Sequence, residues 1–179
     1  MSIYDGDDSS AGSSVTSVRN RSGYFDMQPT LQGGLLTLRP LHPHDFDAMY
    51  AAASDPLIWD QHPAGNRWQY AVFKDLFALL LESGGTLTVI DRAKNEIIGS
   101  SSYYEFAPAT KSIVIGYTFL RRSSWGGHYN VELKCLMLEH AFRYVDRVWF
   151  HVAPENKRSQ RAMEKLGITL SHQEFRQSG

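Results

Sequence analysis

The sequence predicts a mixed α/β domain built on one central sheet. Three observations carry the prediction. Residues 86–120 hold three consecutive strand-like runs, four other segments repeat their apolar residues at helical spacing, and the order of elements shows no internal repeat. A chain of 179 residues has the size of one domain, and enough remains to close a single core once a polar N-terminal stretch is set aside.

That stretch is residues 1–30. Rich in Ser, Asp and Gly as far as Gln28, it offers little apolar surface to offset the entropy of ordering, so a disordered tail is expected, with residues 31–179 as the domain. Leu35-Leu36-Thr37-Leu38-Arg39 reads as the first strand, ended by Pro40. A helix follows Pro43 with Phe46, Met49, Tyr50 and Ala53 on one face, and Asp55-Pro56 stops it. Trp68 to Glu82 repeats Phe73, Leu76, Phe77 and Leu80 at helical spacing, with Gly84-Gly85 as its C-cap. The period then changes: 86–90, 97–104 and 112–120 form an antiparallel meander, its first hairpin turning at Asp91 to Asn95. A long helix from about Asn130 to Tyr144 carries Leu133, Leu136, Met137 and Phe142, more than one narrow stripe, and is expected to be largely buried. Arg147 to Val152 is the next strand, Asn156 to Leu166 the last helix, with Gly167 just beyond it, and Thr169 to Phe175 the final strand.

Composition excludes several classes of partner. A formal net charge of -1 supplies neither a nucleic-acid footprint nor a polybasic membrane patch, so a partner must be recognised by a site. The lone Cys135 cannot form an intrachain disulfide, no apolar run reaches the length of a spanning helix, and the acidic, serine-rich N-terminus is not a secretory signal. A cytoplasmic protein without membrane or nucleic-acid partners is expected, as monomer or homodimer. His42, His44 and His62 lack metal-ligand spacing, so no metal is expected. Cys135 reads as a buried structural thiol, His151 as a strand residue facing a helix or solvent, and Trp59 and Trp68 as core, with the lining of an acceptor pocket as the alternative.

The segment between the meander and the long helix has the parts of an anion cradle. After Leu120 come Arg121, Arg122, Ser123 and Ser124, then Trp125-Gly126-Gly127-His128-Tyr129-Asn130 at a helix start. The first amides of a helix lack intrahelical acceptors and point outward, and glycine lets a bulky anion approach the backbone. The same glycines equally suit a tight turn, Asn130 a helix cap, and the two arginines a solvated turn. In the last helix Ser159, Ala162, Met163 and Leu166 share one stripe, which turns the Ser159 hydroxyl inward, and Asn156 lies one turn earlier as an N-cap or a functional amide.

Ile115-Gly116-Tyr117-Thr118-Phe119-Leu120, Trp125 through Glu132, Asn156-Lys157-Arg158-Ser159 and Glu164-Lys165-Leu166-Gly167, in this order and spacing, resemble the GCN5-related N-acetyltransferases. The likeness runs from Leu35 to about Gly167 and is strongest to the branch of the ribosomal-protein N-terminal acetyltransferases of RimJ and RimL type. It implies an acetyltransferase that takes acetyl-CoA as co-substrate and an amine as acceptor, a peptide N-terminal α-amine or a small amine; the alternative is a CoA-binding relative without turnover. It implies that the strand ending at Leu120 splays from the strand at Arg147 to Val152. The pantetheine arm would lie in that gap against the backbone near Phe119 and Leu120. Arg121, Arg122, Trp125, Gly126, Gly127, His128, Tyr129, Asn130 and Val131 would then surround the diphosphate, Asn156 would meet the pantetheine, and Ser159 would protonate the departing thiolate.

Three departures from the family accompany the likeness. Many relatives carry a glutamate where this chain has Val114, which leaves Glu105, acting through water, as the replacement base. His128 stands where relatives usually have glycine. The chain holds material for one strand after the last helix where relatives have two, and the absent one is expected to leave an open edge beside Arg147 to Val152; a truncated gene product, a strand borrowed from a second subunit, and a strand at Thr169 that pairs differently from its relatives are the three readings of this.

Overall fold

In the computed structural model, which describes residues 2–7 and 24–173, every predicted strand joins one sheet. The strands are β1 (Ser2–Asp7), β2 (Leu31–Gln32), β3 (Leu36–Pro40), β4 (Thr86–Asp91), β5 (Glu96–Ala107), β6 (Ser112–Leu120), β7 (Arg147–Val152) and β8 (Thr169–Gln173). The helices are α1 (Phe46–Ala53), α2 (Tyr70–Glu82), α3 (Tyr129–Ala141) and α4 (Lys157–Glu164). Across the sheet the order is β2-β3-β4-β5-β6-β7-β1-β8. The meander β4-β5-β6 is antiparallel throughout, whereas β6 and β7 run parallel, because α3 carries the chain back to the same end of the sheet.

Each face of the sheet has its own apolar cluster. Leu41, Met49, Phe73, Phe77 and Leu80 from the α1 and α2 region pack with Phe119 on one side. Leu133, Met137 and Ala141 of α3 and Met163 of α4 pack with Ile113, Ile115, Val148 and Phe150 on the other. Phe119 and its neighbours Thr118 and Leu120 point to opposite faces, as the period of a strand requires. The carboxylate of Glu132 holds α3 in place at the sheet by accepting from Leu35 N–H at 2.9 and 3.0 Å.

The N-terminal tail differs from expectation. Ser2–Asp7 form β1, antiparallel to β7 from Ser2↔Val152 to Asp7↔Arg147 and antiparallel to β8 on its other side. Composition could not show this, because a strand placed between two others is held by backbone hydrogen bonds that any non-proline residue makes. The edge of β7 expected to be open is therefore filled by the chain's own beginning, and β8 pairs with β1 and not with β7. Phe25, in the same expected tail, is buried with its ring 5.0 Å from that of Tyr103. Residues 8–23 of the expected tail and the end of the last expected strand lie outside the described residues.

Candidate active site

Pairing between β6 and β7 covers Ser112↔Arg147, Ile113↔Val148 and Val114↔Trp149, and then stops. Ile115 through Leu120 continue without β7 as a partner, so the two strands splay and a row of backbone groups on β6 is left facing a gap. A bulge lies in this stretch. Ser100 pairs with Phe119 and Ser102 with Gly116, so Tyr117 and Thr118 together oppose the single Ser101, and Tyr117 takes a left-handed backbone with φ 48°.

Beyond the gap the chain turns into α3. Arg121 N–H donates to the Ile98 carbonyl at 2.7 Å, and Trp125 Nε1–H donates to the Leu120 carbonyl at 2.9 Å, which fixes the turn against the end of β6. Gly126 has φ 74°, a conformation in which a side chain is strained, and a Cβ on either Gly126 or Gly127 would meet nothing within 4 Å. His128 occupies the N-cap position of α3 and its side chain makes no capping bond, while Asn130 lies inside the helix and caps nothing. Space is thus free around the two glycines ahead of α3, whose first amides have no acceptor within the helix. Tyr129 points away to Asp91, its hydroxyl donating to Oδ2 at 2.9 Å, and Val131 is exposed. The two arginines of the turn are each held by a carboxylate: Arg121 by Glu96 at 2.8 Å and Arg122 by Asp55 at 2.5 Å.

The first turn of α4 reaches the same turn through Arg158, which lies over Trp125. Asn156 is the N-cap of α4 and accepts from Ser159 N–H at 3.0 Å. The Ser159 side chain is half-buried, and its hydroxyl makes no hydrogen bond to the described residues. Arg158, to which the sequence pattern assigns no role, ties this helix to the rest of the site. Its guanidinium lies 4.2 Å from the centroid of Trp125 and donates to Asp60 and to the carbonyls of Leu57 and Ile58. Glu105 is exposed, in a left-handed conformation with φ 51° at the second bulge of β5. Val114 is buried, so no carboxylate projects from β6 at that position.

Several expectations are corrected by the packing of α3. Its buried residues are Leu133, Lys134, Met137, His140 and Ala141, which turns Cys135 outward to solvent. Two polar residues thus share the inward face, and a reading by apolar residues alone rotates the helix. Trp68 is likewise 37% exposed, whereas Trp59 is core, its Nε1–H donating to the Ala53 carbonyl. Lys134 is 3% exposed and its Nζ donates to Thr118 Oγ1 at 2.7 Å, 5.2 Å from the centroid of Phe150. It therefore bridges the two splayed strands from beneath. Burial pulls its ammonium down to about 7, from an ordinary 10.5.

The family description of the acetyltransferase (GNAT) domain aligns with residues 36–169, a span that holds the splayed strands, the glycine turn and α3. The chain belongs to the GNAT acetyltransferase family. Members of that family transfer an acetyl group from acetyl-CoA. Among solved structures, a GNAT-family protein from Chromobacterium violaceum shares the fold with a TM-score of 0.73 at 22% identity, over 88% of this chain and 82% of that one. A protein classed as an acetyltransferase from T. thermophilus is 29% identical, with a TM-score of 0.64 over 77% of this chain and 74% of that one. RimJ of Mycobacterium smegmatis, solved with CoA-disulfide, is 20% identical with a TM-score of 0.56, over 77% of this chain and 72% of its own. No curated protein sequence matches the chain. Among the described residues no group of three or more His, Cys, Asp or Glu is placed to hold a metal, and no helix is long and apolar enough to cross a membrane.

Proposed function

We propose that this GNAT domain is a cytoplasmic N-acetyltransferase that takes its acetyl group from acetyl-CoA and delivers it to a primary amine, in the manner of the RimJ and RimL branch. One observation carries the reading: β6 loses β7 after Val114↔Trp149 and runs on alone to Leu120, where the chain turns through Gly126 and Gly127 into α3. Backbone groups near Phe119 and Leu120 bind the pantetheine arm in the gap. Gly126, Gly127, His128, Tyr129, Asn130 and Val131 receive the diphosphate, with Trp125 as a wall, and Arg121 and Arg122 flank it as counter-charge. Asn156 meets the pantetheine while its Oδ1 holds the start of α4.

The amine nitrogen attacks the thioester carbonyl, a C–N bond forms, the C–S bond breaks, and the amine gives up a proton while the thiolate gains one. A backbone N–H near Phe119 stabilises the oxyanion. Ser159, whose hydroxyl has no other partner among the described residues, donates to the thiolate. With no carboxylate at Val114, Glu105 acts on the amine through water. An α-amine of pKa about 7.8 is roughly a tenth neutral at pH 7 and tolerates so distant a base, whereas a lysine near 10.4 does not.

The alternative, CoA binding without turnover, is favoured by the buried Val114 and by His128 in the diphosphate turn. Titration calorimetry with acetyl-CoA and a thiol-release assay over a panel of amines separate the two. Binding with release is the expected result. Binding without release selects the alternative, and no binding removes both.

A further inference from the structure

The connection between α1 and α2 holds two acidic residues close to the gap, Asp55 and Asp60, and both are taken: Asp55 by Arg122 and Asp60 by Arg158. A third arginine, Arg67, closes the same connection and pairs with no carboxylate among the described residues. Its guanidinium lies 5.9 Å from the centroid of Tyr117, the left-handed residue of the β6 bulge, and 5.7 Å from that of Trp59. The only hydrogen-bonding neighbour it has among the described residues is His62 Nε2, 3.2 Å from Nη1.

That neighbour cannot accept. Ala64 N–H donates to His62 Nδ1 at 2.9 Å, so Nδ1 holds the lone pair of the ring and Nε2 carries the proton. Burial and the charge of Arg67 hold His62 down to about 4, so at neutral pH the ring bears that single proton. Two N–H groups consequently face each other, half-buried, with no acceptor between them. A donor kept from water without an acceptor is unfavourable. An anionic oxygen answers both. The planar fork of arginine suits a carboxylate, and the one net charge of the pair matches a monoanion better than a phosphate dianion.

We propose that Arg67 and His62 bind a carboxylate carried by the acyl acceptor, so that the substrate of this chain is an amine that is also an acid, a free amino acid or an acidic peptide, and not a polyamine. The position fits, because Tyr117 belongs to the stretch of β6 that faces the gap while Arg67 approaches from the α1 and α2 side, across the sheet from α3 and α4. The assignment rests on the acyl transfer proposed above.

Binding of reaction products tests it without turnover. The full chain is titrated with N-acetylalanine against N-acetylalaninamide, then with the peptide amide N-acetyl-Ala-Glu-Ala against N-acetyl-Ala-Gln-Ala, and separately with CoA. In one pair the carboxylate member binds at least about tenfold more tightly. Arg67→Met removes that difference, Arg67→Lys keeps part of it, and CoA affinity is the same in all three proteins. A difference in the first pair identifies a free amino acid, and in the second an acidic peptide. Equal binding within both pairs, or a difference that survives Arg67→Met, overturns the proposal. Failure of CoA to bind the unaltered chain overturns the transfer reading alone, since the product titrations stand without it.

Discussion

Two basic side chains flank the same bulge of β6, one on each face of the sheet, and the fold treats them in opposite ways. Lys134 reaches Thr118 from the α3 face, and Arg67 lies over Tyr117 from the α1 and α2 face. Lys134 is sealed: its partners are a hydroxyl, already bonded to Ser101 at 2.7 Å, and the ring of Phe150. A sealed ammonium without a carboxylate is costly, and lysine can escape the cost by losing its proton. Arg67 cannot, since a guanidinium keeps its charge in any protein environment, and it is accordingly only half-buried. One face thus holds a cation that can be switched off, and the other holds a permanent one at the proposed carboxylate site.

The largest effect should come from breaking the sealed side. In the folded chain Lys134 titrates near 7, and unfolded it titrates near 10.5. Between these values the unfolded state binds more protons, so this group makes stability rise with pH across that window. Below pH 7 the full cost of the buried charge is present. Lys134→Met should therefore stabilise the chain at pH 6 by on the order of a few kcal/mol, and the gain should shrink steadily towards pH 10. Urea unfolding at the two ends of the range measures it; a gain independent of pH would mean that Lys134 is not titrating as its burial requires.

Next in size is the proposed role of Ser159, on that same face. Ser159→Ala should lower kcat on the order of a hundredfold and leave the Kd of CoA unchanged, because Ser159 N–H, not its hydroxyl, holds the Asn156 cap. An unchanged kcat in a single-turnover assay removes Ser159 from the mechanism. Gly127→Val should weaken CoA by about tenfold with little change in melting temperature, since no described atom lies within 4 Å of the new Cβ and the backbone there is not left-handed. Gly126 is the poorer probe, because its φ of 74° would strain any side chain and confound fold with ligand. If Gly127→Val leaves CoA affinity intact, the diphosphate lies elsewhere.

How much of this was legible in the sequence depends on the range of the contacts. β6 and β7 have the bounds that the apolar runs predict, and the C-cap glycines Gly84 and Gly167 have the positive φ that their place after a helix implies, since each is decided by a few neighbouring residues. β1 was hidden, because its stability comes from two partners more than a hundred residues away and leaves no mark on its composition. Lys134 and His140 break the hydrophobic pattern of α3 from inside, and their signal, a lysine in phase with Met137 and Ala141, surfaces only once burial is known. The turn ahead of α3 stood out through Gly126 and Gly127. Arg67 did not, since its meaning depends on which other arginines had already taken Asp55 and Asp60.

The smallest expected effect is the one that separates the two faces most cleanly. Arg67→Met removes a charge that makes no ion pair among the described residues and lies beside a ring nitrogen that is itself a donor. Its loss relieves one conflict and gives up two contacts with aromatic rings worth roughly 0.5–1 kcal/mol each at exposed sites, so the net change in unfolding free energy should be small. It should also be nearly flat from pH 7 to 9, where neither Arg67 nor a His62 held near 4 changes its protonation. Set beside the steep pH dependence expected of Lys134→Met, a flat profile would show that the open cation is retained for something other than stability. A large loss at every pH would instead make Arg67 a structural clamp between Trp59 and Tyr117, and the two faces of β6 would then differ in packing alone.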